Sequence, residues 1–327
     1  MELRNVGVAA LAAAAPKNYI DNEKYLETDD SLEKKRLSKI IKMTGIRHRH
    51  TVAGTGVRLV DLAVEATREA LRVSGIDKES IKAVVYVTQM PEIHSPSTAF
   101  IVQKELDIPM DCMAFDVNLG CSGFVGGLGI AAGILALCSD KDHVIMINAE
   151  QLSTDKRANA NDELLFGDAA SCIILRYDES GVIPFEYRSD GRRYDVLYKE
   201  KKDSEVYMDG EAVFQFTINE VAELIRDFIV KYRQEGKYDF CVLHQAQLLI
   251  MKNVAQRSGI PTDKLLVSLD EYANTSGASI PLSICYNKKR LKSGKNEFLI
   301  SGYGIGLSFG VAKISIDKES IADVLEI

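Results

Sequence analysis

The chain has 327 residues, enough for two domains or one large α/β body with a substantial core. Apolar residues make up 46% and charged residues 27%, the mixture of a globular protein, which excludes a disordered or fibrous chain. Forty Lys plus Arg against 47 Asp plus Glu leave a net charge of −7. That argues against a nucleic-acid partner, and no apolar run reaches the ~18 residues of a membrane span, so no membrane insertion is expected.

Residues 6–15 (VGVAALAAAA) follow Arg4 and have two readings. They resemble the apolar core and small-residue cleavage site of a secretory leader. Against this, Glu2 offsets Arg4, Ala dominates the run, and Pro16 closes it as it would close a strand. A strand is expected. Residues 59–73 repeat apolar positions at helical spacing among Asp, Glu and Arg. Residues 81–87 (IKAVVYV) are a β-branched run suited to a buried strand. A second strand should end at 115–117 and a third lie at 144–147. Residues 190–204 are charged and poor in apolar side chains, the mark of a surface excursion. Further strands are expected at 240–243, 265–267 and 298–300. Strands alternating with helices predict a parallel or mixed sheet covered by helices.

The two halves of the chain resemble each other in order. A strand ending at Val87 matches one ending at Leu243, each with a polar loop and then a helix. A strand through Val117 leads to Cys121-Ser122-Gly123, and one through Val267 leads to Thr275-Ser276-Gly277. Each half then has a Gly-rich turn running into a strand: Gly167 to Ala170 before 171–175, and Gly302 to Gly306 before 307–314. This predicts a duplicated α/β core, dividing as 1–175 and 176–327, with loops of both halves meeting at one site.

Chemistry-bearing residues fall where that layout predicts. Cys112, Cys121, Cys138, Cys172, Cys241 and Cys285 are scattered without a CxxC pair, the usage of reduced thiols in a cytoplasmic protein. Cys121 stands out, four residues past a strand and opening the helix 122–137 (SGFVGGLGIAAGILAL). Gly126, Gly127, Gly129 and Gly133 each disfavour an isolated helix by up to ~1 kcal/mol, so this helix should be buried and closely approached. A thiol at a helix N-terminus is expected to have a lowered pKa, although a lone Cys is more often a small buried apolar residue. His244 closes a strand, at the edge where α/β sites form. Asn274 opens Asn274-Thr275-Ser276-Gly277, which by itself reads as a turn and cap. A thiol, an imidazole and an amide each just past a strand make the constellation.

Other motifs are weaker. Residues 127–132 fit G-x-G-x-x-A but lie inside a helix instead of at a strand end. Gly120-Cys121-Ser122-Gly123 is no nucleophile elbow, because Phe124 follows. Arg47, His48, Arg49 and His50 read as a solvated or phosphate-facing basic strand, with no further metal ligand at suitable spacing. Asp168 reads as tying a turn.

Taken together, Asp116-x4-Cys121-x-Gly123-Phe124, Phe166-Gly167-Asp168-Ala169-Ala170, Met208-Asp209-Gly210-x3-Phe214, His244-Gln245-Ala246, Asn274-Thr275-Ser276-x-Ala278-Ser279-Ile280-Pro281 and Gly304-x-Gly306-Leu307 resemble β-ketoacyl-acyl-carrier-protein synthase III. Thr44-Gly45-Ile46 and Pro96-Ser97-Thr98-Ala99 match as well. The resemblance spans nearly the whole chain in order. It implies the thiolase fold, two related halves in a five-layer αβαβα body, usually a homodimer. It also implies that Cys121 accepts an acyl group from a thioester. His244 and Asn274 would then stabilise the enolate left when malonyl-acyl carrier protein loses CO2, and the backbone N–H groups of Cys121 and Gly306 would form an oxyanion hole. The substrates implied are coenzyme A or acyl-carrier-protein thioesters, with no metal, redox nucleotide or flavin.

The chain departs from the family pattern in places. A Trp and an Arg that often sandwich the coenzyme A adenine are Lys39 and Met43, and the chain has no Trp. Glu211 replaces a usual Asn near the pantetheine, though Phe214 is kept. A basic carrier-docking residue is Leu249, leaving Lys252 and Arg257 as candidates for that contact. The substrate-facing signature after the imidazole reads Gln245-Ala246-Gln247. The bulky residue that often narrows the acyl tunnel is Ser95, a size that would admit a longer, branched or oxygenated chain. The competing readings are acyl transfer to an alcohol or amine without decarboxylation, a hydroxymethylglutaryl-type synthase, and a non-catalytic assembly partner. The second needs a Glu base, and Glu92 reads as a surface loop residue; the third tends to lose the Cys.

Overall fold

A computed structural model describes residues 1–154, 157, 160–201 and 204–327. Its strands are β1 Glu2–Ala15, β2 Tyr19–Asp21, β3 His48–His50, β4 Ile81–Val87, β5 Met113–Val117, β6 His143–Gln151, β7 Asp168–Ser189, β8 Leu197–Lys199, β9 Val206–Met208, β10 Phe240–Leu243, β11 Lys295–Gly304, β12 Ser308–Asp317 and β13 Leu325–Glu326. Its helices are α1 Ser31–Thr44, α2 Leu59–Ser74, α3 Ala99–Glu105, α4 Gly123–Leu135, α5 Gly210–Phe216, α6 Ala222–Lys231, α7 Leu248–Ser258, α8 Leu269–Tyr272 and α9 Ser279–Tyr286.

One half-sheet runs β5-β4-β6-β7-β1, with β13 beside β1, and the other runs β7-β12-β11-β10. β4 is parallel to β5 and β6, and β10 to β11, while β7 is antiparallel to its neighbours. β7 pairs with β1 and β6 early and with β12 over residues 185–189. A single 22-residue strand therefore joins the half-sheets, and residue 175 lies within it.

The strand period of two sorts side chains into layers. Along β4, Ala83, Val85 and Val87 join the core containing α4 and α9, while Ile81, Val84 and Tyr86 join the core under α2. Along β11, Phe298 and Ile300 face α4 and α9, while Leu299 and Tyr303 face α6 and α7. The layers are thus α2, sheet, α4 with α9, sheet, α6 with α7, the expected five-layer αβαβα body. Each buried Val, Leu, Ile or Phe stabilises it by about 1.5–3 kcal/mol. The close approach expected at α4 is met at Gly127, where a Cβ would stand 2.7 Å from Met146 Sδ. At Gly133 a Cβ would meet nothing within 4 Å, so that glycine needs no such account.

Four expectations change. Residues 265–267 form no strand, because only Leu265 bridges to Cys241. The basic strand at 47–50 is not a solvated face: Arg49 and His50 are buried. Arg49 Nε donates to Asn22 Oδ1 at 2.8 Å, and the rings of His48 and His50 both reach Glu271. Asp168 ties two loops instead of one turn, accepting from Val52 N, Ser153 N and Ser153 Oγ at 2.6–3.0 Å. The excursion at 190–204, whose residues 202 and 203 lie outside the described set, contains β8, which pairs with β9 in a two-stranded ribbon.

Candidate active site

Four chain segments from both halves converge at the carboxyl ends of the strands. The first is the turn 120–123 between β5 and α4. Asp116, near the end of β5, accepts from the backbone N–H groups of Thr98 and Ala99 at 2.6 and 2.9 Å and so anchors the start of α3 beside it. Gly123 N donates to Gly120 O, and Ser122 Oγ bonds to Tyr187 and Ser308, which sets Cys121 immediately before α4.

The second segment is the end of β11. A Cβ on Gly304 would lie 2.7 Å from Cys121 Cβ and 3.2 Å from Sγ. Just beyond it, Gly306 takes φ 132°, a backbone region open chiefly to glycine. The N–H groups of Cys121 and Gly306 bond to no other described residue, so both remain available to an incoming oxygen.

The third segment is 273–279. Ser276 Oγ donates to Cys121 Sγ at 3.6 Å. Asn274 is flanked by Ala273 at φ 58° and Ser276 at φ 51°, left-handed conformations that cost of order 1–3 kcal/mol each outside glycine. The surroundings hold this geometry: Asn274 N donates to Leu165 O, and Gly167 N donates to Asn274 O. The Phe166-Gly167-Asp168 motif is thus the clamp on Asn274. Asn274 Oδ1 accepts from Ser276 N at 2.9 Å, while Nδ2 has no acceptor among the described residues.

His244 follows β10, and its N–H donates to Ser301 O. Its Nδ1 lies 2.9 Å from Ser279 Oγ, and Tyr303 presents its ring edge-on at 5.5 Å. Burial pushes the imidazole pKa down to about 3, outweighing a backbone hydrogen bond to Ser276, so the ring is neutral.

Burial likewise pushes the Cys121 thiol up to about 11, a shift opposed by the Ser276 hydroxyl and by Arg157 and reinforced by the Glu150 charge. This corrects the expectation of a lowered value: closing β11 and residue 276 over the sulfur outweighs the helix dipole. The resting site therefore holds a thiol and a neutral imidazole.

Several neighbours carried no distinctive sequence signal. Gln89 Nε2 lies 3.5 Å from Ser276 Oγ and 3.3 Å from Glu150 Oε1, linking the hydroxyl that meets Cys121 Sγ to a buried carboxylate on β6. Asn148 packs beneath both loops, and a Cβ on Gly277 would come 2.9 Å from its Nδ2. Glu92 is half-buried in the loop before α3, its backbone N–H donating to Thr98 Oγ1 at 3.1 Å.

The remaining expected residues divide. Gln245 is buried, and its amide bonds to Leu243 O, Leu266 O and Ser268 N, so it braces the loop from within. Ala246 and Phe214 are half-buried against the α6–α7 core, and Gln247 precedes α7. Lys252 is exposed on α7, and Arg257 there donates to Asn219 Oδ1. Ser95 is exposed in the loop before α3 and bonded to none of the site residues. Among the described residues no group of three or more His, Cys, Asp or Glu is placed to hold a metal, and no helix is long and apolar enough to cross a membrane.

Comparison with known proteins matches the two stretches of the chain in which these residues lie. The family model for 3-oxoacyl-[acyl-carrier-protein] synthase III matches residues 115–191, around Cys121, and its C-terminal model matches 233–316, around His244 and Asn274. The β-ketoacyl-[acyl-carrier-protein] synthase III of Clostridium perfringens is 32% identical over 96% of this chain and all of its own length, and that of Staphylococcus epidermidis 33% over the same shares. The crystal structure of a 3-oxoacyl-(acyl-carrier protein) synthase from Burkholderia xenovorans superposes with a TM-score of 0.91 at 28% identity, covering 100% of this chain and 98% of that one. The priming β-ketosynthase of the R1128 polyketide pathway shares the fold, with a TM-score of 0.83 at 24% identity, covering 96% and 97% of the two chains. With Cys121 in one matched stretch, His244 and Asn274 in the other, and relatives of 32–33% identity covering 96% of its length, the chain belongs to the β-ketoacyl-acyl-carrier-protein synthase III family.

Proposed function

We propose that this chain catalyses decarboxylative Claisen condensation of an acyl thioester with malonyl-acyl carrier protein. Cys121 Sγ attacks the donor carbonyl, its proton leaves with the donor thiol, and a Cys121 thioester forms. The malonyl group then releases CO2, and the electrons of the broken C–C bond become an enolate. His244 and Asn274 Nδ2 donate hydrogen bonds to the enolate oxygen. The enolate carbon attacks the Cys121 thioester, and the N–H groups of Cys121 and Gly306 hold the oxyanion until Cys121 is expelled and reprotonated. Each such donor is worth ~3 kcal/mol.

The observation that carries this reading is the asymmetry of Asn274: its oxygen is occupied by Ser276 N–H, which leaves its NH2 to donate beside a neutral imidazole. A site that only passed an acyl group to an alcohol or amine has no developing enolate for that donor. Residues 1–175 would supply the nucleophile and 176–327 the decarboxylation pair. Half-buried Phe214, Ala246 and Gln247 would line the pantetheine path, and Lys252 and Arg257 would contact the carrier. We further place the enzyme in the cytoplasm as a homodimer.

Purified protein is mixed with acyl-CoA and acyl-carrier donors, the Cys121 adduct is weighed, and labelled CO2 is collected after malonyl-acyl carrier protein is added. Adduct plus CO2 plus β-ketoacyl product is expected. An adduct that transfers without CO2 release overturns the condensation.

A further inference from the structure

We infer that the lysine face of α1 is the docking surface for the carrier protein, a small acidic helical partner bearing the phosphopantetheine arm; this rests on the condensation reading above. The helix sequence, SLEKKRLSKIIKMT, holds Lys34, Lys35, Arg36, Lys39 and Lys42 against the single acid Glu33, in a chain whose net charge is −7. Arg36 is tied to Glu33. Lys34, Lys35, Lys39 and Lys42 are exposed, and none has a carboxylate within ion-pair distance among the described residues. With Leu26, Ser31 and Ser38 they line a surface groove of about 590 Å³. Lys35, Lys39 and Lys42 recur at i, i+4 and i+7 with Lys34 beside them, so the charges share one face, about 12 Å long from 34 to 42 at 1.5 Å per residue.

The face leads to the site. Asp30 caps the start of α1, accepting from Leu32 N and Glu33 N, and Gly45 ends it at φ 74°. A Cβ on Gly45 would stand 2.9 Å from Leu248 Cβ, at the first residue of α7 and four residues past His244. Ile46 is buried in the same core as Leu243. The end of the lysine face therefore abuts the loop that carries the imidazole, and Lys252 on α7 continues the positive charge.

A coenzyme A nucleotide fits this face poorly, because none of the residues lining the groove carries a ring to stack an adenine. Several unpaired cations strung along one helix match a rigid anionic helix, and such complementarity chiefly raises the association rate and its salt sensitivity. Exposed ion pairs are individually worth little, so the contact is collective.

The test measures binding without turnover. Labelled holo-acyl carrier protein is titrated with the protein, followed by fluorescence anisotropy at low and at 0.3 M salt. The triple variant Lys35→Glu/Lys39→Glu/Lys42→Glu should raise Kd at low salt at least tenfold and flatten its salt dependence. The single Lys39→Gln and Lys42→Gln changes, mild for the helix, should each raise it about twofold, with circular dichroism confirming the fold. Lys141→Glu, an exposed lysine just before β6 and so at the opposite end of the sheet, should change Kd less than twofold. Acylation of Cys121 by a neutral acyl-N-acetylcysteamine thioester, which carries no phosphate, should be unaffected in every variant.

A triple-variant Kd within twofold of the parent, an equal loss in Lys141→Glu, no binding by the parent at low salt, or a matching loss of reactivity toward the neutral thioester each overturns the assignment. A parent that binds the carrier through α1 yet makes no β-ketoacyl product would support the docking face and refute the condensation reading.

Discussion

Gly304 offers a direct test of how tightly the strand end confines the nucleophile. In Gly304→Ala the new methyl carbon would be built 2.7 Å from Cys121 Cβ and 3.2 Å from Sγ. Carbon–carbon contacts are optimal at about 3.5–4.0 Å, so Cys121 must retreat by roughly 1 Å or β11 must bend. Gly304 lies in extended backbone that alanine adopts freely, and the effect is therefore steric. Overpacking of this kind destabilises by about 1–3 kcal/mol, which leaves the protein folded. Displacing a reacting atom by about 1 Å costs on the order of 100-fold in rate. Acylation of Cys121, followed by intact mass on a rapid-quench time course, should slow by roughly that factor while thermal unfolding shifts only modestly. Gly191→Ala, where an added Cβ meets nothing within 4 Å, should match the parent in both measurements. A folded Gly304→Ala protein acylating within threefold of the parent would refute the claim that this glycine sets the position of the sulfur.

With its thiol pushed up to about 11, Cys121 is about one part in ten thousand thiolate at pH 7. Its alkylation by iodoacetamide, read on the Cys121 peptide, should rise about tenfold per pH unit from pH 7 to 10, and a plateau below pH 9 would contradict this. His244 is held neutral down to about pH 3, whereas the unfolded chain protonates it below 6.5. Its contribution to stability is thus full above 6.5 and declines as pH falls toward 3, by about 2 kcal/mol at pH 5. Urea unfolding at pH 7 and pH 5 should show that difference in the parent and lack it in His244→Asn. Asn274→Ala should cut CO2 release from malonyl-acyl carrier protein by roughly 100- to 1000-fold yet leave Cys121 acylation within threefold. Equal loss in both half-reactions would instead make Asn274 a general structural support.

Much of the frame was legible from residue pattern. Ile81–Val87 reads as a strand to the residue, because a strand buried on both faces is apolar along its length, here with only Lys82 near its start as an exception. The full reach of β7 was hidden by Arg176 to Gly181, a charged stretch that reads as a turn. In the structure, residues 178–181 bulge between the pairs Val6–Tyr177 and Arg4–Val182 while the strand continues. Cys121, His244 and Asn274 were legible because each stands just past a strand or its counterpart in a repeated layout. Gln89 and Glu150 were not, since Gln and Glu are ordinary loop and strand residues until the fold brings them together, and Ser276 and Ser279 stood in the Asn274 motif without a role until the fold set them against a sulfur and an imidazole. The same holds for Arg49 and His48, whose partners Asn22 and Glu271 lie 27 and 223 residues away in the chain.

The two displaced pKa values share one cause and one consequence. A preformed thiolate–imidazolium pair would place a fixed cation where the malonyl carboxylate must sit, and pairing that carboxylate stabilises the ground state that decarboxylation has to leave. The buried pocket instead holds His244 as a neutral donor and Cys121 as a thiol. In the proposed mechanism His244, Asn274 Nδ2 and the two backbone N–H groups all act as neutral dipoles where charge develops. Such donors are worth most in a water-excluded site. The cost falls on the first half-reaction, since ionising a thiol of pKa about 11 at pH 7 takes roughly 5 kcal/mol. That step is eased if the proton leaves with the departing donor thiol as the C–S bond forms. The strained backbone at Ala273 and Ser276 fits the same logic: it fixes the Asn274 donor before substrate arrives, so no reorganisation is required at the moment the enolate appears.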